Sequence, residues 1–521
     1  MRKTALSLAL SLTLSLTSHA KPNVLFLCVD DWNDWVGCLG DGSVHTPNMD
    51  RLAAMGTLFT NAHCAAPVCN PSRAAVMSGF RPSTTGVYEN GSPLQLALPK
   101  GHLTVPQYFR KHGYVSHGSG KIYHDQIGFN FPKDWDHYFL WNETYRSWAW
   151  ECGYSRPPDP QPDPRPFAKI TSKTKRNFDF APLACEDSEM PDFKSTDYAV
   201  QFLKQEHDRP FFLAVGQFKP HLPWFAPKKY FDLYPIEDIQ LPPVLEGDID
   251  DLPPIAKKRA VDRASKHDQV QQLGEWKKAI QGYKACISFA DAQIGRVLDA
   301  LEAHPDKDNT VIVLWSDHGY HLGEKQHWHK RTLWERSTHV PLIFIVPGLT
   351  KPGSVCENAV DLMAIYPTLV ELAKLPGNSA IAGEGVSLVS MLREPTKESD
   401  TIALTTHGSG NHAVRSRTHR YIRYRDGSEE LYDHRSDPNE WHNIAGKADS
   451  KVVIAQLRKR LPQSEAAEAP DYYKGTALIR VTGETYDWKR KEAVAGDSAY
   501  VNAAKLKAKA WKAAADTLSV E

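Results

Sequence analysis

The chain has 521 residues, enough for a large hydrophobic core and for one big domain with a smaller one beside it. Lysine plus arginine and aspartate plus glutamate each number 62, so the formal net charge is zero. No global electrostatic field therefore points to a nucleic acid or an anionic membrane as a partner. The 14 tryptophans and 20 tyrosines fit either core packing or the stacking of carbohydrate rings.

The first twenty residues have the pattern of an export signal. Arg2 and Lys3 precede the apolar stretch ALSLALSLTLSL, and the small residues of SHA end it. The apolar run is short for a membrane span and is followed by Lys21 and Pro22, although an uncleaved anchor is the alternative. We expect residues 1–20 to be a cleavable signal peptide, and the protein to be secreted or periplasmic without a stable membrane anchor.

Predicted strands and helices then alternate along the chain. The apolar run NVLFLCVDD at 23–31 predicts a buried parallel strand that ends in two acids. Further segments predict helices at 46–56, 104–113, 198–206 and 283–303, and strands at 114–120, 210–217, 310–319 and 340–348. This order predicts an α/β fold with a large, mostly parallel central sheet flanked by helices. Ligand sites in such sheets lie beyond the carboxyl ends of the strands, where this sequence places Asp30, Asp31, Lys121, His221, Asp317 and His318.

Other segments depart from the alternation. Residues 153–192 and 242–270 are irregular, and the first is rich in proline, which is typical of long surface insertions over the strand ends. Beyond about residue 395 the sequence alternates like a hairpin around the turn RDG, which predicts a small antiparallel α+β subdomain. The tail after 460 is rich in alanine and lysine and helical in propensity. We expect a main domain over 21–395 and a C-terminal subdomain with a helical tail over 396–521.

The chain has eight cysteines, and export permits disulfides. Cys152 and Cys185 flank the proline-rich loop and are the best candidates for a bridge. Cys28 and Cys286 lie in apolar segments and are predicted to be buried thiols.

The stretch CNPSRAAVMSG places Cys69 in a different setting. Pro71 fits the first turn of a helix that SRAAVMSG continues. Cys69 is therefore predicted at a helix N-terminus, where backbone N–H groups favour negative charge, with Arg73 on the same helical face. From the residues alone a thiolate nucleophile is possible, although no partner histidine is fixed by local spacing.

This stretch, from Cys69 to Gly79, resembles the sulfatase signature C-x-P-S-R-x-x-x-[LM]-[TS]-G. The segments VDDW, GKIYH, KPHLPW, SDHGYHLGEKQHWHK and THVPLIFIVPG follow in the family's order over about residues 21–375, and ELYDHRSDPNEWHN resembles its C-terminal subdomain. The chain is similar to the type I sulfatases of the alkaline phosphatase superfamily. It looks most like the iduronate-2-sulfatase group, because His318 follows Asp317 where many sulfatases have asparagine.

The resemblance implies a modified nucleophile and a metal. Cys69 would be oxidised to Cα-formylglycine (3-oxoalanine) by a formylglycine-generating maturation enzyme before folding. One Ca²⁺ would be held by residue 69 and by Asp30, Asp31, Asp317 and His318. Three carboxylates in one site need a cation. Their oxygens suit Ca²⁺ or Mg²⁺, whereas a histidine ligand is unusual for both.

The resemblance also implies the catalytic roles. Arg73 would orient the aldehyde hydrate, which attacks the sulfur, and Lys121 and Lys330 would bind the sulfate oxygens. His221 would protonate the leaving alcohol, and His124 would either deprotonate the hemiacetal sulfate or donate to the bound ester. Lys219 lies close in sequence but is left outside this set.

The substrate is the least determined part. The resemblance implies a sulfated oligo- or polysaccharide, either with a 2-O-sulfate on a uronic acid or from marine sources such as ulvan or carrageenan. Three side chains, His327, His329 and Arg331, are candidates for binding a uronic acid carboxylate. Candidate sugar-stacking rings are Trp32, Trp35, Trp148, Trp150, Trp224 and Trp328. The alternatives are a phosphoester or phosphonate monoester hydrolase of the same superfamily and an inactive glycan-binding protein.

Overall fold

The computed structural model describes residues 21–124, 128–139, 178–261, 265–377, 383–482 and 485–503. The strands are β1 Asn23–Val29, β2 Thr57–Phe59, β3 Ala62–His63, β4 Val115–Gly120, β5 His137–Phe139, β6 Phe180–Leu183, β7 Phe211–Gly216, β8 Trp224–Pro227, β9 Thr310–Ser316, β10 Leu342–Ile345, β11 Ser354–Cys356, β12 Val360–Asp361, β13 Ala403–Thr406, β14 His412–Arg415, β15 His419–Arg423, β16 Glu429–Asp433, β17 Ala477–Thr482 and β18 Thr485–Arg490. The α-helices are α1 Pro47–Met55, α2 Cys69–Ser78, α3 Pro82–Thr85, α4 Val105–Lys111, α5 Pro191–Leu203, α6 Lys228–Phe231, α7 Pro254–Val261, α8 Ser265–Gln272, α9 Trp276–Glu302, α10 Glu335–Thr338, α11 Ile365–Leu372, α12 Val389–Arg393 and α13 Ser450–Arg458.

A central eight-stranded sheet has the order β11-β2-β10-β9-β1-β7-β4-β5. The strands from β9 to β5 pair in parallel, which confirms the predicted α/β class. Strand β10 runs antiparallel to both of its neighbours. It is reached from β9 through residues 317–341, which pass along the carboxyl edge of the sheet and return without a crossover helix.

Strand β1 lies at the centre of the sheet and separates two hydrophobic cores. Leu25, Leu27 and Val29 pack on one face with helices α1, α5 and α9. Val24 and Phe26 pack on the other face with helices α2, α4 and α11. Because both faces are covered, the strand has the continuous apolar run that the sequence shows.

The C-terminal part forms the expected antiparallel sheet, in the order β13-β14-β15-β16. One face packs on α7 and on Trp334, and the other packs on α13. The expected helical tail is wrong for residues 477–490, which form the hairpin β17–β18. Ile479 and Trp488 of this hairpin pack on Phe129 of the main domain, and such packing outweighs local helix propensity.

Other expectations have mixed outcomes. The segment 242–270 was expected to be irregular, but it contains α7 and the start of α8. Residues 1–20, Cys152 and the part of the proline-rich loop before 178 lie outside the described residues, so the signal peptide stays a prediction. The expected bridge to Cys152 is wrong, because Cys185 is a free thiol. Within the described ranges, no helix combines the length and the apolar character needed to span a bilayer.

Candidate active site

The candidate site lies at the carboxyl edge of the central sheet, where four neighbouring strands end. Asp30 follows β1, Lys121 follows β4, the loop with His221 follows β7, and Asp317 follows β9. Helix α2 begins at Cys69 and points its N-terminus at the same edge. The fold thus brings together side chains from segments almost 290 residues apart in sequence.

Cys69 occupies the centre of the cluster. Its Sγ lies 2.9 Å from Nζ of Lys330 and 3.3 Å from Nε2 of His318. The side chain is fully buried, and burial raises the pKa of the Cys69 thiol to about 12, against the opposing charges of Lys121 and Lys330. An unmodified thiolate nucleophile is therefore disfavoured near neutral pH, because only the thiolate form attacks.

Arg73 joins the nucleophile helix to the acids. Its Nε donates to Oδ2 of Asp317 at 2.8 Å, and its Nη2 lies 3.4 Å from Oδ1 of Asp30. Nη1 donates to the backbone carbonyls of Lys121 and Ile122. The guanidinium is completely buried, so its place is fixed by these acceptors.

The three aspartates respond differently to this environment. Burial raises the pKa of Asp31 to about 6 against the charge of Lys330. Burial likewise raises the pKa of Asp317 to about 7 against the charge of Arg73. For Asp30, burial acts upward, but Lys121 and further cations hold the pKa well below its usual range. Burial thus makes two of the three carboxylates costly to ionise, and further positive charge would stabilise their ionised form.

His318 places an unprotonated ring nitrogen next to the aspartates. Its Nδ1 lies 3.1 Å from the carbonyl oxygen of Gly319 and donates to it, which leaves the lone pair on Nε2. Nε2 faces Oδ1 of Asp31 at 3.4 Å and Oδ2 of Asp317 at 3.6 Å. Burial and Lys330 lower the pKa of His318 well below its usual value. An imidazole lone pair and a carboxylate oxygen repel each other, so this arrangement is favourable only when a cation lies between them.

A metal ion fits this arrangement. Ligand atoms of Asp30, Cys69, Asp317 and His318 lie within 4.8 Å of one another, as do those of a second set in which Asp31 and His221 join Asp30 and Cys69. The buried Oδ1 of Asp30 accepts no hydrogen bond from the described residues. Three of these six residues offer carboxylate oxygens, the ligands that Ca²⁺ and Mg²⁺ prefer.

The remaining predicted catalytic residues surround the cluster. The ammonium groups of Lys121 and Lys330 contact the carboxylates of Asp30 and Asp31. His221 is held by a 2.6 Å contact between its Nδ1 and the carbonyl oxygen of Leu222, and its Nε2 lies 3.9 Å from Oδ2 of Asp31. Burial, with Lys330, lowers the pKa of His221 well below its usual value.

His124 follows Lys121 by three residues and is also buried, with its ring 6.0 Å from that of Phe129. The structure thus assembles Cys69, Arg73, Lys121, His221, Lys330 and the predicted metal ligands in one cluster. The role of His124 stays a prediction.

Two expectations about the pocket wall are wrong. Four of the proposed stacking tryptophans belong to the hydrophobic core, where no sugar reaches them: Trp32, Trp35, Trp224 and Trp328. His327 is buried and faces two backbone carbonyls, so it does not bind a uronic acid carboxylate. Arg331 pairs with Glu89 at 2.7 Å. Trp148 and Trp150 lie outside the described residues.

Sequence reasoning missed Asp192, which positions the loop that carries His221. Its two carboxylate oxygens accept from the backbone N–H groups of Phe218 and Lys219, each at 2.9 Å. Nζ of Lys219 donates to the carbonyls of His221 and Pro223 and so also braces the loop. The sequence gives only a weak signal for this role. An acid in the first turn of a helix is common, because it is favourable near the positive end of the helix dipole.

Comparisons with known proteins identify the family of the chain. The Sulfatase family model matches residues 22–375, and a model of the C-terminal region of N-sulphoglucosamine sulphohydrolase matches 323–467. A sulfatase of Formosa agariphila is 41% identical over 467 residues, covering 86% of this chain and 87% of that protein. Iduronate 2-sulfatase of Homo sapiens is 35% identical over 400 residues, with 68% and 69% covered.

Among solved structures, one of a 2-O GAG sulfatase superposes with a TM-score of 0.64 at 22% identity, covering 84% of this chain and 91% of that one. At this identity the likeness shows the fold, while the family model and the relatives carry the assignment. The chain therefore belongs to the sulfatase family and is a sulfuric ester hydrolase.

Proposed function

We propose that the protein hydrolyses a sulfate ester of a sulfated saccharide, through a formylglycine made from Cys69. The observation that carries the proposal is the position of Cys69 Sγ, in contact with Lys330 and His318 at the carboxyl edge of the central sheet. Relatives named iduronate 2-sulfatase and ulvan-active sulfatase favour a 2-O-sulfated uronic acid or a marine polysaccharide such as ulvan or carrageenan as substrate.

The residues of the chain suit charge stabilisation around a sulfate. Lys121 and Lys330 place two ammonium groups near residue 69, where they can bind the sulfate oxygens while negative charge builds on the bridging oxygen in the transition state. Arg73 is locked against Asp317 and so fixes the orientation of helix α2 and its first residue. The formylglycine would supply a hydrated aldehyde whose hydroxyl replaces the thiol as the nucleophile.

Asp30, Asp31, Asp317 and His318 would hold one Ca²⁺, which supplies positive charge to the sulfate and to residue 69. His221 would hold a proton at Nε2 for the leaving alcohol, because Nδ1 is engaged by Leu222. Asp192 and Lys219 keep that loop in place.

We also propose that Cys69 is converted before the chain folds and that residues 1–20 direct export. In the folded protein Cys69 is only 1% exposed, so a maturation enzyme has no access to it. Intact mass and N-terminal sequencing of the exported protein would test both statements. Retention of residues 1–20, or modification of prefolded protein by the maturation enzyme, would contradict them.

The decisive experiment compares wild-type and Cys69→Ala protein on four substrates. These are 4-nitrophenyl sulfate, a 2-O-sulfated uronic acid disaccharide, sulfated algal oligosaccharides and a phosphonate monoester. We expect sulfate release by the wild type alone, with formylglycine in the peptide that holds residue 69. Faster turnover of the phosphonate ester would favour the phosphonate hydrolase alternative, and saccharide binding without turnover would favour a glycan-binding protein.

A further inference from the structure

Arg259 on helix α7 is a half-buried guanidinium that faces a histidine. Its Nη1 lies 2.6 Å from Nδ1 of His407, and among the described residues no carboxylate forms an ion pair with it. Burial lowers the pKa of Arg259, in keeping with a charge withdrawn from water. Other buried arginines face a carboxylate at short range: Arg73 faces Asp317 at 2.8 Å, Arg336 faces Asp34 at 2.5 Å and Arg420 faces Glu440 at 2.5 Å.

The backbone beside Arg259 is tied to the segment of the catalytic lysine. The buried ring of His327 lies between the two, with Nδ1 2.9 Å from the carbonyl oxygen of Ala260 and Nε2 2.9 Å from that of Lys330. One imidazole thus joins the residue after Arg259 to the residue that contacts Cys69. Helix α7, which carries Arg259, is therefore tied through one ring to the segment of Lys330.

The charges around Arg259 leave room for an external anion. Glu89 acts on Arg259 electrostatically, but its carboxylate is already paired with Arg331 at 2.7 Å. Arg425 adds a second positive charge in the same region. A desolvated charge without a counterion is costly, and a planar guanidinium binds carboxylate or sulfate oxygens through two parallel hydrogen bonds.

We infer that Arg259 binds a second anionic group of the substrate, next to the sulfate ester that is cleaved. The group is an oxyanion of the same or the adjoining sugar, either a carboxylate or another sulfate. The inference rests on the proposed saccharide substrate and makes Arg259 a specificity-determining residue rather than a catalytic one. It also gives a role to helix α7, which is joined to the segment of Lys330 through His327.

The test uses Arg259→Ala and Arg259→Gln, since glutamine keeps a donor toward His407 without the charge. Arg435→Ala is the matched control, because it removes an exposed arginine whose ion pair within the described ranges is with Asp433 at the end of β16. The substrates are 4-nitrophenyl sulfate and a 2-O,6-O-disulfated uronic acid–glucosamine disaccharide, together with its carboxyl-reduced and 6-O-desulfated forms. Equilibrium binding of the disaccharides is measured by calorimetry in the Cys69→Ala background, where no turnover occurs.

For both Arg259 variants we expect KM and Kd of the disulfated disaccharide to rise about 10- to 100-fold, the range for a lost hydrogen bond to a charged group. Turnover of 4-nitrophenyl sulfate and the thermal midpoint should match those of Arg435→Ala. One of the two altered disaccharides, carboxyl-reduced or 6-O-desulfated, lacks the group that Arg259 binds, and on that form the Arg259 variants should bind as well as the wild type. The comparison therefore shows whether the group is the carboxylate or the sulfate.

Unchanged saccharide binding, or an equal loss on 4-nitrophenyl sulfate, overturns the inference. A wild type that binds the disaccharide through Arg259 but releases no sulfate from any substrate refutes the proposed function instead.

Discussion

Replacing His221 by glutamine should separate substrates by their leaving group. Nδ1 of His221 is committed to the carbonyl of Leu222 at 2.6 Å, so a proton for the substrate must reside on Nε2. A sugar alkoxide needs that proton, whereas 4-nitrophenolate leaves readily without it. General acid catalysis contributes about 10²- to 10⁴-fold, so kcat/KM for a sulfated disaccharide should fall by that factor, which corresponds to about 3–5 kcal/mol in activation free energy.

The aryl ester should lose less than about tenfold by the same argument. The measurement is kcat/KM for both substrates, with His442→Gln as control, since His442 is exposed in the C-terminal part. Equal losses on the two esters would refute the role of His221, because a defect in folding or in sulfate binding lowers both alike.

The pH profile provides a second check on the same residue. Burial and the charge of Lys330 lower the pKa of His221, so at neutral pH the free ring is neutral and Nε2 lacks its proton. The protonated fraction rises as pH falls toward the lowered pKa. Disaccharide kcat/KM of the wild type should therefore increase from pH 8 toward pH 6, and His221→Gln should lose this dependence. A profile shared by the wild type and the variant would contradict the assignment.

Three further changes test other parts of the site and fold. Asp317→Asn should lower bound metal, which elemental analysis of purified protein would show; unchanged metal content would argue against a ligand role. Arg420→Met removes the buried guanidinium that pairs with both Glu440 and Glu335 and should cost about 3–5 kcal/mol in the free energy of unfolding, and a denaturant midpoint equal to that of wild type would disprove it. Gly216→Ala places a Cβ 2.2 Å from the carbonyl oxygen of Lys121, which has to move away. Sulfatase turnover should drop at least tenfold, because catalysis is sensitive to the displacement of a catalytic residue. Full activity would show that the strands can separate there.

The sequence was most informative where local pattern and chemistry coincide. The run from Asn23 to Asp31 predicted both a buried strand and acids at its carboxyl end, and strand β1 ends at Val29 with both acids beyond it. Thr46 and Gly56 were predicted to bound a helix, and α1 lies between them. These features depend on neighbours within a few residues, which the sequence displays directly.

The direction of strands and the ion pairs between distant segments were harder to predict from the sequence. An apolar segment such as Leu342–Ile345 has the same sequence pattern in a parallel and in an antiparallel strand. The direction of the strand is decided by the connection that leads to it. The network of Arg420, Glu335 and Glu440 joins residues from three separate segments, with no periodicity that marks it. The tryptophans near the motifs were assigned to a sugar site, but large rings gain most by burial in the core.

The lysines of the site have two sets of partners available, and this links metal binding to sulfate binding. In the structure Lys121 pairs with Asp30 and Lys330 pairs with Asp31, so both ammonium charges are neutralised by carboxylates. A cation coordinated by the same carboxylates would replace the lysines as their counterion and leave the ammonium groups to face a sulfate. Two ligands that each relieve the cost of binding the other are positively coupled, and the coupling is reciprocal. Asp30, Asp31 and Asp317 are balanced here by Arg73, Lys121 and Lys330, so a bound cation is a condition for turning the two lysine charges toward an anion.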